Sequence, residues 1–278
     1  MFTGKKLAFI GSGVMAEAMI NGILGKGLTQ PKQIIASDIL IERGEELHRR
    51  YGVENTTDNR YAAQNGDVVV FSVKPQHLAH VLADLGTGVL REGQLVLSIV
   101  AGARISVFVR RLGHEAIVRV MPNTPAQIGA GMSVWTATPA VSEEQRAQTR
   151  AILQALGEEI DVADESYLDM ATAVSGTGPA YIFLVMEALT DAAVHLGFPR
   201  QIAEKLVVQT VIGSALFARQ SHKHLAELRN MVTSPGGTSA EALYQLEKGS
   251  LRAVLSKAVW AAYQKSKLLG EISEDSGR

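Results

Sequence analysis

The sequence predicts an α/β protein, with a doubly wound parallel sheet in its N-terminal part and an all-helical C-terminal part. Short apolar runs alternate with helical patterns in the first part, and a glycine-rich turn follows the first run. After Asp164 the strand-like runs stop and alanine-rich helical periodicity takes over. A chain of 278 residues is long enough for two domains, which we place at residues 1–162 and 163–278.

Five apolar runs are predicted to form the first strands of the sheet, and they lie at 5–10, 33–37, 67–73, 94–101 and 116–122. The run DVVVFSV is continuous and rich in valine, as expected of a strand that is buried on both faces. Further strand candidates lie within 134–142 and at 158–162, and helices are predicted at 14–25, 41–50 and 143–156. Right-handed crossovers bring the carboxyl ends of parallel strands to one edge, where we expect a ligand.

The glycine-rich turn GSGVMA predicts a dinucleotide site at the end of the first strand. Gly11 allows the tight turn, Gly13 lets the backbone approach a pyrophosphate, and Ala16 permits close packing of helix on sheet. The helix that follows offers unpaired N–H groups to a phosphate. The second strand ends at Ser37 and Asp38, where such a fold contacts the ribose. A tight turn without a ligand is the alternative.

Three other strand ends carry marks of the same site. Lys74, in SVKP, is expected beside the dinucleotide, with a solvated loop lysine as the alternative. The small residues of SIVAGARI leave room for a flat ring. In MPNTPA, Asn123 and Thr124 either position a ligand or satisfy the backbone of their own turn.

The helical part contains one long apolar helix, predicted at 179–196. Pro179 suits its first turn and Gly197 its C-terminal cap. Because the helix is apolar on most sides, we expect it to be deeply buried. A small domain offers too few neighbours for this, so we expect a dimer interface.

The segment SPGGTSAEAL, residues 234–243, predicts a second ligand site. Pro235, Gly236 and Gly237 form a turn, after which Thr238 and Ser239 offer hydroxyls and N–H groups at a helix N-terminus. That arrangement suits a carboxylate. An ordinary N-capped helix is the alternative.

Five motifs, FIGSGVMA, SVKPQ, MPNTPA, VSGTGPAYIF and MVTSPGGTSAEAL, together resemble the pyrroline-5-carboxylate reductase family over essentially the whole chain. The resemblance implies a Rossmann-like N-terminal domain and a helical dimerisation domain. It implies reduction of the imine of 1-pyrroline-5-carboxylate to L-proline with NADPH, or with NADH as the alternative. It also implies a cytoplasmic homodimer, with a decamer as a larger assembly.

The resemblance also implies roles for individual residues. The substrate would contact Glu165, Gly236, Gly237, Thr238 and Ser239, with the hydroxyl of Ser239, or alternatively Thr238, assisting catalysis at the imine nitrogen. The cofactor would contact residues at four strand ends and Asn59, namely Gly11, Ser12, Gly13, Val14, Met15, Ala16, Ser37, Asn59, Ser72, Val73, Lys74, Pro75, Ile99, Val100 and Ala101.

Two positions depart from the family pattern. Ser239 stands where a threonine is usual, and Met231 stands where an amide side chain is common. Serine keeps the hydroxyl with a looser rotamer, whereas methionine removes any substrate hydrogen bond from that side chain.

The choice between NADH and NADPH stays open from the sequence. Asp38 favours the ribose diol of NADH and would repel a 2′-phosphate. Ser37 and Arg43 could instead accept that phosphate.

Composition argues against other partners. The net charge of −1 gives no basic surface for nucleic acid or an anionic membrane, and no apolar stretch is long enough to span one. The lack of cysteine removes thiolate chemistry and fits a reducing compartment. The histidine pairs at 77 and 80 and at 222 and 224 lack a recognisable third ligand, so we expect no metal.

Two rival functions remain. A 3-hydroxyacid or related imine reductase would carry a catalytic lysine on the helix at 179–196, which has none. A non-catalytic dinucleotide sensor would not need the segment at 234–239.

Overall fold

The computed structural model describes residues 2–275, with side chains to residue 271. The chain divides into two compact units. The first contains residues up to Thr177 together with the chain from Ala262 onward, and the second is Gly178–Ala261. The domains at 1–162 and 163–278 stay a prediction.

The first unit is built on an eight-stranded sheet with the order β3-β2-β1-β4-β5-β6-β7-β8. The strands are β1 Leu7–Ile10, β2 Ile34–Ser37, β3 Glu54–Thr56, β4 Val68–Phe71, β5 Leu95–Ser98, β6 Ile117–Met121, β7 Gly131–Ala137 and β8 Gly157–Asp161. The first six are mutually parallel, which confirms the predicted Rossmann-like α/β class.

The last two strands correct the prediction of a wholly parallel sheet. β7 runs antiparallel to β6, and β8 is parallel to β7. Only residues 122–130 join β6 to β7. A parallel pair needs a crossover of roughly a dozen residues or more, so this link permits only an antiparallel return.

Helices flank the sheet in the first unit. They are α1 Val14–Gly25, α2 Ile41–Tyr51, α3 Asn59–Asn65, α4 Pro75–Leu85, α5 Ile105–Leu112, α6 Glu143–Gln154 and α7 Ser166–Ala171. Short 3₁₀ turns lie at Pro31–Gln33 and Thr124–Ile128, and a π-helical turn, Thr172–Gly176, follows α7. The predicted helices at 14–25, 41–50 and 143–156 match α1, α2 and α6 closely.

Two apolar layers cover the two faces of the sheet. In β1, Leu7 and Phe9 pack into one layer, while Ala8 and Ile10 pack into the other. This alternation follows from the two-residue period of a strand. Because both faces are covered, the carboxyl edge of the sheet is left as the place for a ligand.

The second unit contains α8 Gly178–His195, α9 Arg200–Gln220, α10 Leu225–Met231 and α11 Thr238–Lys248. The last helix, α12 Leu251–Asp275, begins in this unit and ends in the first. The prediction that the helix at 179–196 is deeply buried is wrong for the single chain. Its apolar side chains Phe183 and Leu184 are 62% and 65% exposed. A helix of this composition needs a covering surface that one chain does not supply.

Candidate functional site

A cavity of about 390 Å³ opens at the carboxyl edge of the parallel strands. It lies where the connections after β1, β2 and β4 meet, which is the ligand position of a doubly wound sheet. Its lining residues are Gly11, Gly13, Asp38, Ile39, Leu40, Asn59, Ser72, Val73, Lys74, His77, His80 and Val81.

The two glycines of the turn after β1 do different work. Gly11 has φ +88°, and a Cβ built there would lie 2.6 Å from Val73 Cγ1 and 2.9 Å from Val73 N. Gly13 is the N-cap of α1, and a Cβ there would meet nothing within 4 Å. Gly11 therefore permits the turn itself, while Gly13 leaves open space in front of the helix N-terminus.

That helix N-terminus fits the phosphates of a dinucleotide. No side chain caps α1 at Gly13, so its first N–H groups lack an intrahelical partner. Val14 is 63% exposed beside them. Free N–H groups, the positive end of the helix dipole and the space over Gly13 are the features that a pyrophosphate uses.

A network of hydrogen bonds fixes the ends of β1 and β2. The N–H of Gly11 and the hydroxyl of Ser12 donate to the carbonyl of Ser37, at 2.9 and 3.0 Å. The N–H of Ser12 donates to Asp38 Oδ2 at 2.8 Å, and the N–H of Leu40 donates to Asp38 Oδ1 at 3.1 Å. The hydroxyl of the buried Ser37 donates to Asn59 Oδ1 at 2.8 Å.

The end of β4 is tied to the same turn. The hydroxyl of Ser72 donates to the carbonyl of Gly11 at 2.6 Å, and its N–H donates to the carbonyl of Ile10 at 2.9 Å. Lys74 is the N-cap of α4 and Pro75 its first residue. Proline at this position costs no hydrogen bond, because its missing N–H would have been unpaired.

An ion cluster lies next to the cavity, between α1 and α2. Arg43 donates from Nε to the carbonyl of Ser12 at 2.7 Å, from Nη1 to Glu46 at 2.7 Å and from Nη2 to Glu17 at 2.5 Å. Arg50 pairs with the same two glutamates. Burial alone would raise the pKa of Glu17, but hydrogen bonds from Arg43 and Tyr51 outweigh it and hold that pKa below its ordinary value.

The predicted cofactor residues divide into two groups. Gly11, Gly13, Asn59, Ser72, Val73 and Lys74 line the cavity. The other nine do not line it, and they are Ser12, Val14, Met15, Ala16, Ser37, Pro75, Ile99, Val100 and Ala101. Some of these support the lining, as Ser12 and Ser37 do through their hydrogen bonds.

The predicted site list omitted several lining residues. Ile39 and Leu40 follow Asp38 after β2, and His77 and Val81 lie one turn apart on α4. The sequence pattern of His77 and His80 suggests only a metal site, which the lack of a third ligand argues against. Their position could have indicated a role in the cavity, because both lie in the first two turns of α4, the helix that begins directly after Lys74 at the end of β4.

Ile99, Val100 and Ala101 directly follow β5 at the same edge of the sheet. The N–H of Ile99 continues the ladder by donating to the carbonyl of Phe71 at 3.0 Å. Side chains at 99 and 100 are buried, so what this segment can offer a ligand is mainly backbone.

Glu165 lies in the first unit and holds the start of α5, a few residues after Ala101. Its Oε1 accepts the N–H of Ile105, the first residue of α5, at 2.8 Å and Arg119 Nη1 at 2.7 Å. Arg119 is 4% exposed and also lies 3.6 Å from Asp169, which accepts a hydrogen bond from the hydroxyl of Ser266. The substrate contact of Glu165 stays a prediction.

The segment at 234–239 in the second unit has the geometry of an open anion site. Gly236 has φ +69°, and the N–H of Gly237 donates to the carbonyl of Ser234 at 3.1 Å. Gly237 is the N-cap of α11 and supplies no side chain. Thr238 and Ser239 are therefore the first two helical residues and do not cap the helix. Among the described residues their hydroxyls have no hydrogen-bond partner.

Metal ligands and membrane-spanning helices are the remaining features that could indicate a function. Within the described part of the chain, no group of three or more His, Asp or Glu side chains is placed to hold a metal ion. The helices in that same part all fall short of the length or apolar content that crossing a bilayer requires.

Comparisons with known proteins agree with this geometry. Residues 165–269 match the family model for pyrroline-5-carboxylate reductase dimerisation, and residues 6–102 match the model for NADP oxidoreductase, coenzyme F420-dependent. The pyrroline-5-carboxylate reductase of Synechocystis is 41% identical over 266 residues, which cover 96% of this chain and 98% of that protein.

Solved structures give the same result. The pyrroline-5-carboxylate reductase of Coxiella burnetii superposes with a TM-score of 0.87 at 38% identity, covering 95% of this chain and 98% of that one. The Plasmodium falciparum pyrroline carboxylate reductase, solved with NADP bound, has a TM-score of 0.87 at 32% identity and covers 96% and 98% of the two chains. These relatives show that the chain belongs to the pyrroline-5-carboxylate reductase family.

Proposed function

We propose that this chain reduces the imine of 1-pyrroline-5-carboxylate to L-proline with a reduced nicotinamide dinucleotide. The observation that carries the proposal is the open N-terminus of α11, where Thr238 and Ser239 hold hydroxyls without partners behind an N-cap glycine. Relatives named pyrroline-5-carboxylate reductase match nearly the whole chain, which supports the same function.

The cavity after β1, β2 and β4 is the proposed dinucleotide site. When bound, the cofactor supplies a hydride. Gly13 and the first N–H groups of α1 receive the pyrophosphate. Asp38, directly after β2, and Asn59, the first residue of α3, also line the cavity. The NADP oxidoreductase model and the NADP-bound relative support NADPH, and NADH is the alternative.

The segment at 236–239 is the proposed carboxylate site. The N–H groups of Thr238 and Ser239 point out of the start of α11, where the helix dipole favours a negative charge. Charge-assisted hydrogen bonds of this kind are about twice as strong as neutral ones. Because Gly237 has no side chain, a carboxylate can approach the backbone closely.

The hydroxyl of Ser239 is the proposed contact of the ring nitrogen, with Thr238 as the alternative. The imine enters protonated, so the hydroxyl accepts a hydrogen bond from its N–H. Addition of hydride to the ring carbon then yields the neutral amine without a further proton. This role asks the protein for position rather than for a strong acid. Glu165 is proposed near the substrate, and in the free protein its carboxylate holds the start of α5 and Arg119.

The second unit is the proposed dimerisation surface. The dimerisation model spans residues 165–269, and exposed apolar side chains on α8 and α9 include Phe183, Leu184 and Phe217. Burying such surface against a second chain stabilises a symmetric pair. A homodimer, with a decamer as a larger assembly, and a place in the cytoplasm complete the proposal.

The test is oxidation of NADPH or NADH by the purified protein with 1-pyrroline-5-carboxylate, with L-proline measured as product. Comparison with 1-pyrroline, which has the imine but no carboxylate, shows how much the anion site contributes. We expect turnover with the carboxylated ring and a much lower kcat/KM without the carboxylate. Binding of dinucleotide without any turnover would instead favour the sensor.

A further inference from the structure

Asp38 lies where a doubly wound fold meets the ribose attached to adenine. It directly follows β2 and lines the cavity. An acidic residue at this place accepts hydrogen bonds from ribose hydroxyls, whereas a 2′-phosphate is accommodated by a nearby arginine. The sequence alone left Ser37 and Arg43 as groups that could receive such a phosphate, so their partners in the structure decide the matter.

The Asp38 carboxylate is held in place before any ligand binds. Ser12 N–H donates to Oδ2 at 2.8 Å and Leu40 N–H donates to Oδ1 at 3.1 Å. An ionised carboxylate has about four lone-pair positions, so about two remain to accept hydroxyl hydrogens. A phosphate monoester carries a charge of about −1.5 to −2 near neutral pH and would meet this carboxylate with like charge.

Ser37 is not available to a phosphate. Its side chain is buried, and its hydroxyl donates to Asn59 Oδ1 at 2.8 Å. Turning that hydroxyl toward a ligand would take the donor away from the half-buried amide oxygen of Asn59.

The guanidinium of Arg43 also has partners within the protein. Each of its three guanidinium nitrogens already donates, to the Ser12 carbonyl, to Glu46 and to Glu17, and its side chain is only 18% exposed. Two carboxylates therefore neutralise its charge. A phosphate would have to compete with both carboxylates for the Arg43 charge, although Glu17 and Glu46 also pair with Arg50.

Lys74 also lines the cavity, but it follows a different strand from Asp38. Lys74 follows β4, whereas Asp38 follows β2, and β1 lies between these two strands in the sheet. The groups beside Asp38 in the lining are Ile39 and Leu40, which are apolar and exposed. These residues suit the face of an adenine ring and offer nothing to a phosphate.

We propose that Asp38 makes this chain select the dinucleotide with a free 2′-hydroxyl, NADH, over NADPH. The carboxylate accepts the ribose hydroxyls and opposes the 2′-phosphate, while Arg43 and Ser37 stay with their own partners. This inference deepens the proposed function and rests on it for the reaction, but the binding preference is measurable without the reaction.

The test titrates NADH and NADPH separately into the full-length protein at fixed ionic strength, with nicotinamide fluorescence as the signal and no imine present. Asp38→Asn keeps the shape and one acceptor oxygen but removes the charge. Glu45→Gln is the matched control, because Glu45 is an exposed acid on the following helix, α2, and does not line the cavity. We expect the wild type to bind NADH at least about tenfold more tightly than NADPH, a gap of about 1.4 kcal/mol.

Asp38→Asn should bring the two dissociation constants at least about tenfold closer, and Glu45→Gln should leave their ratio unchanged. A wild type that binds NADPH as tightly as NADH overturns the proposal, as does an unchanged ratio in Asp38→Asn. If that variant does not fold, Asp38→Ser replaces it. NADPH preference that disappears in Lys74→Ala would place phosphate recognition after β4 instead. A protein that binds NADH selectively but does not reduce the imine would refute the proposed reaction and leave this inference standing.

Discussion

Exchanging the two glycines of the turn after β1 for alanine separates folding from cofactor binding. At Gly11, φ is +88° and the new Cβ would lie 2.6 Å from Val73 Cγ1 and 2.9 Å from Val73 N. The left-handed backbone costs a residue with a Cβ about 1–2 kcal/mol, and overpacking against a fixed neighbour adds about 1–3 kcal/mol. Gly11→Ala should therefore destabilise the free protein by about 2–5 kcal/mol.

Gly13→Ala is the matched change in the same turn. Gly13 has φ −68°, and its Cβ would meet no atom within 4 Å. Its stability should change by less than about 1 kcal/mol, because alanine tolerates this backbone and loses only a little as an N-cap. The new methyl group would instead occupy the space over the N-terminus of α1, so dinucleotide affinity should fall by at least about tenfold.

The assay combines thermal unfolding of the ligand-free variants with fluorescence titration of NADH. For a protein of this size, about 2–5 kcal/mol corresponds to a loss of roughly 4–20 °C in Tm for Gly11→Ala. Gly13→Ala should keep the wild-type Tm. The reasoning is refuted if Gly11→Ala unfolds at the wild-type temperature, or if Gly13→Ala binds NADH as tightly as the wild type.

Three further predictions concern the second ligand site and two ion clusters. Ser239→Ala or Thr238→Ala should lower kcat/KM for the imine by more than about threefold, or about 0.7 kcal/mol, and steady-state kinetics on both variants would reject the hydroxyl role if neither does. Glu165→Gln should destabilise the protein by about 1–3 kcal/mol, because the buried Arg119 keeps Asp169 but loses the nearer of its two charge partners, and a denaturant midpoint equal to that of the wild type would contradict this. The lowered pKa of Glu17 means that its stabilisation is complete above about pH 4.5 and is lost as pH falls through the folded-state pKa, so Glu17→Gln should flatten the acid side of a stability profile and an unchanged profile would disprove it.

Much of the sheet could be predicted because its strands are buried on both faces. DVVVFSV and QLVLSIVA have no other plausible place than the middle of an α/β sheet, and they form β4 and β5 there. The strand β3, Glu54–Thr56, escaped prediction because it is short, polar and at the edge. An edge strand needs no apolar run, so hydrophobic periodicity gives no signal for it.

The direction of β7 shows a different limit. The sequence indicated a strand near residue 134, but parallel or antiparallel pairing depends on how far the connection can travel. The 3₁₀ turn Thr124–Ile128 shortens the link from β6, and only the folded backbone shows that the chain returns beside its own neighbour.

The candidate sites were predictable where backbone geometry decides, and not where side-chain partners decide. Gly11, Gly13 and Gly237 lie where their motifs indicated, because each serves a turn or a helix start. The sequence could not show that Arg43 pairs with Glu17, because Glu17 lies on α1 and meets α2 only in three dimensions, whereas Glu46 is three residues away on the same helix as Arg43. The ion pair between Glu17 and Arg43 is one reason why we do not assign Arg43 to a 2′-phosphate of the cofactor.

The most direct test of the central claim is the structure of the protein in complex with L-proline and an oxidised nicotinamide dinucleotide. The account predicts the proline carboxylate on the N–H groups of residues 237–239, the ring nitrogen at the hydroxyl of Ser239 or Thr238, and the pyrophosphate over Gly13. Proline bound away from this segment, with the start of α11 contacting only solvent, would contradict it.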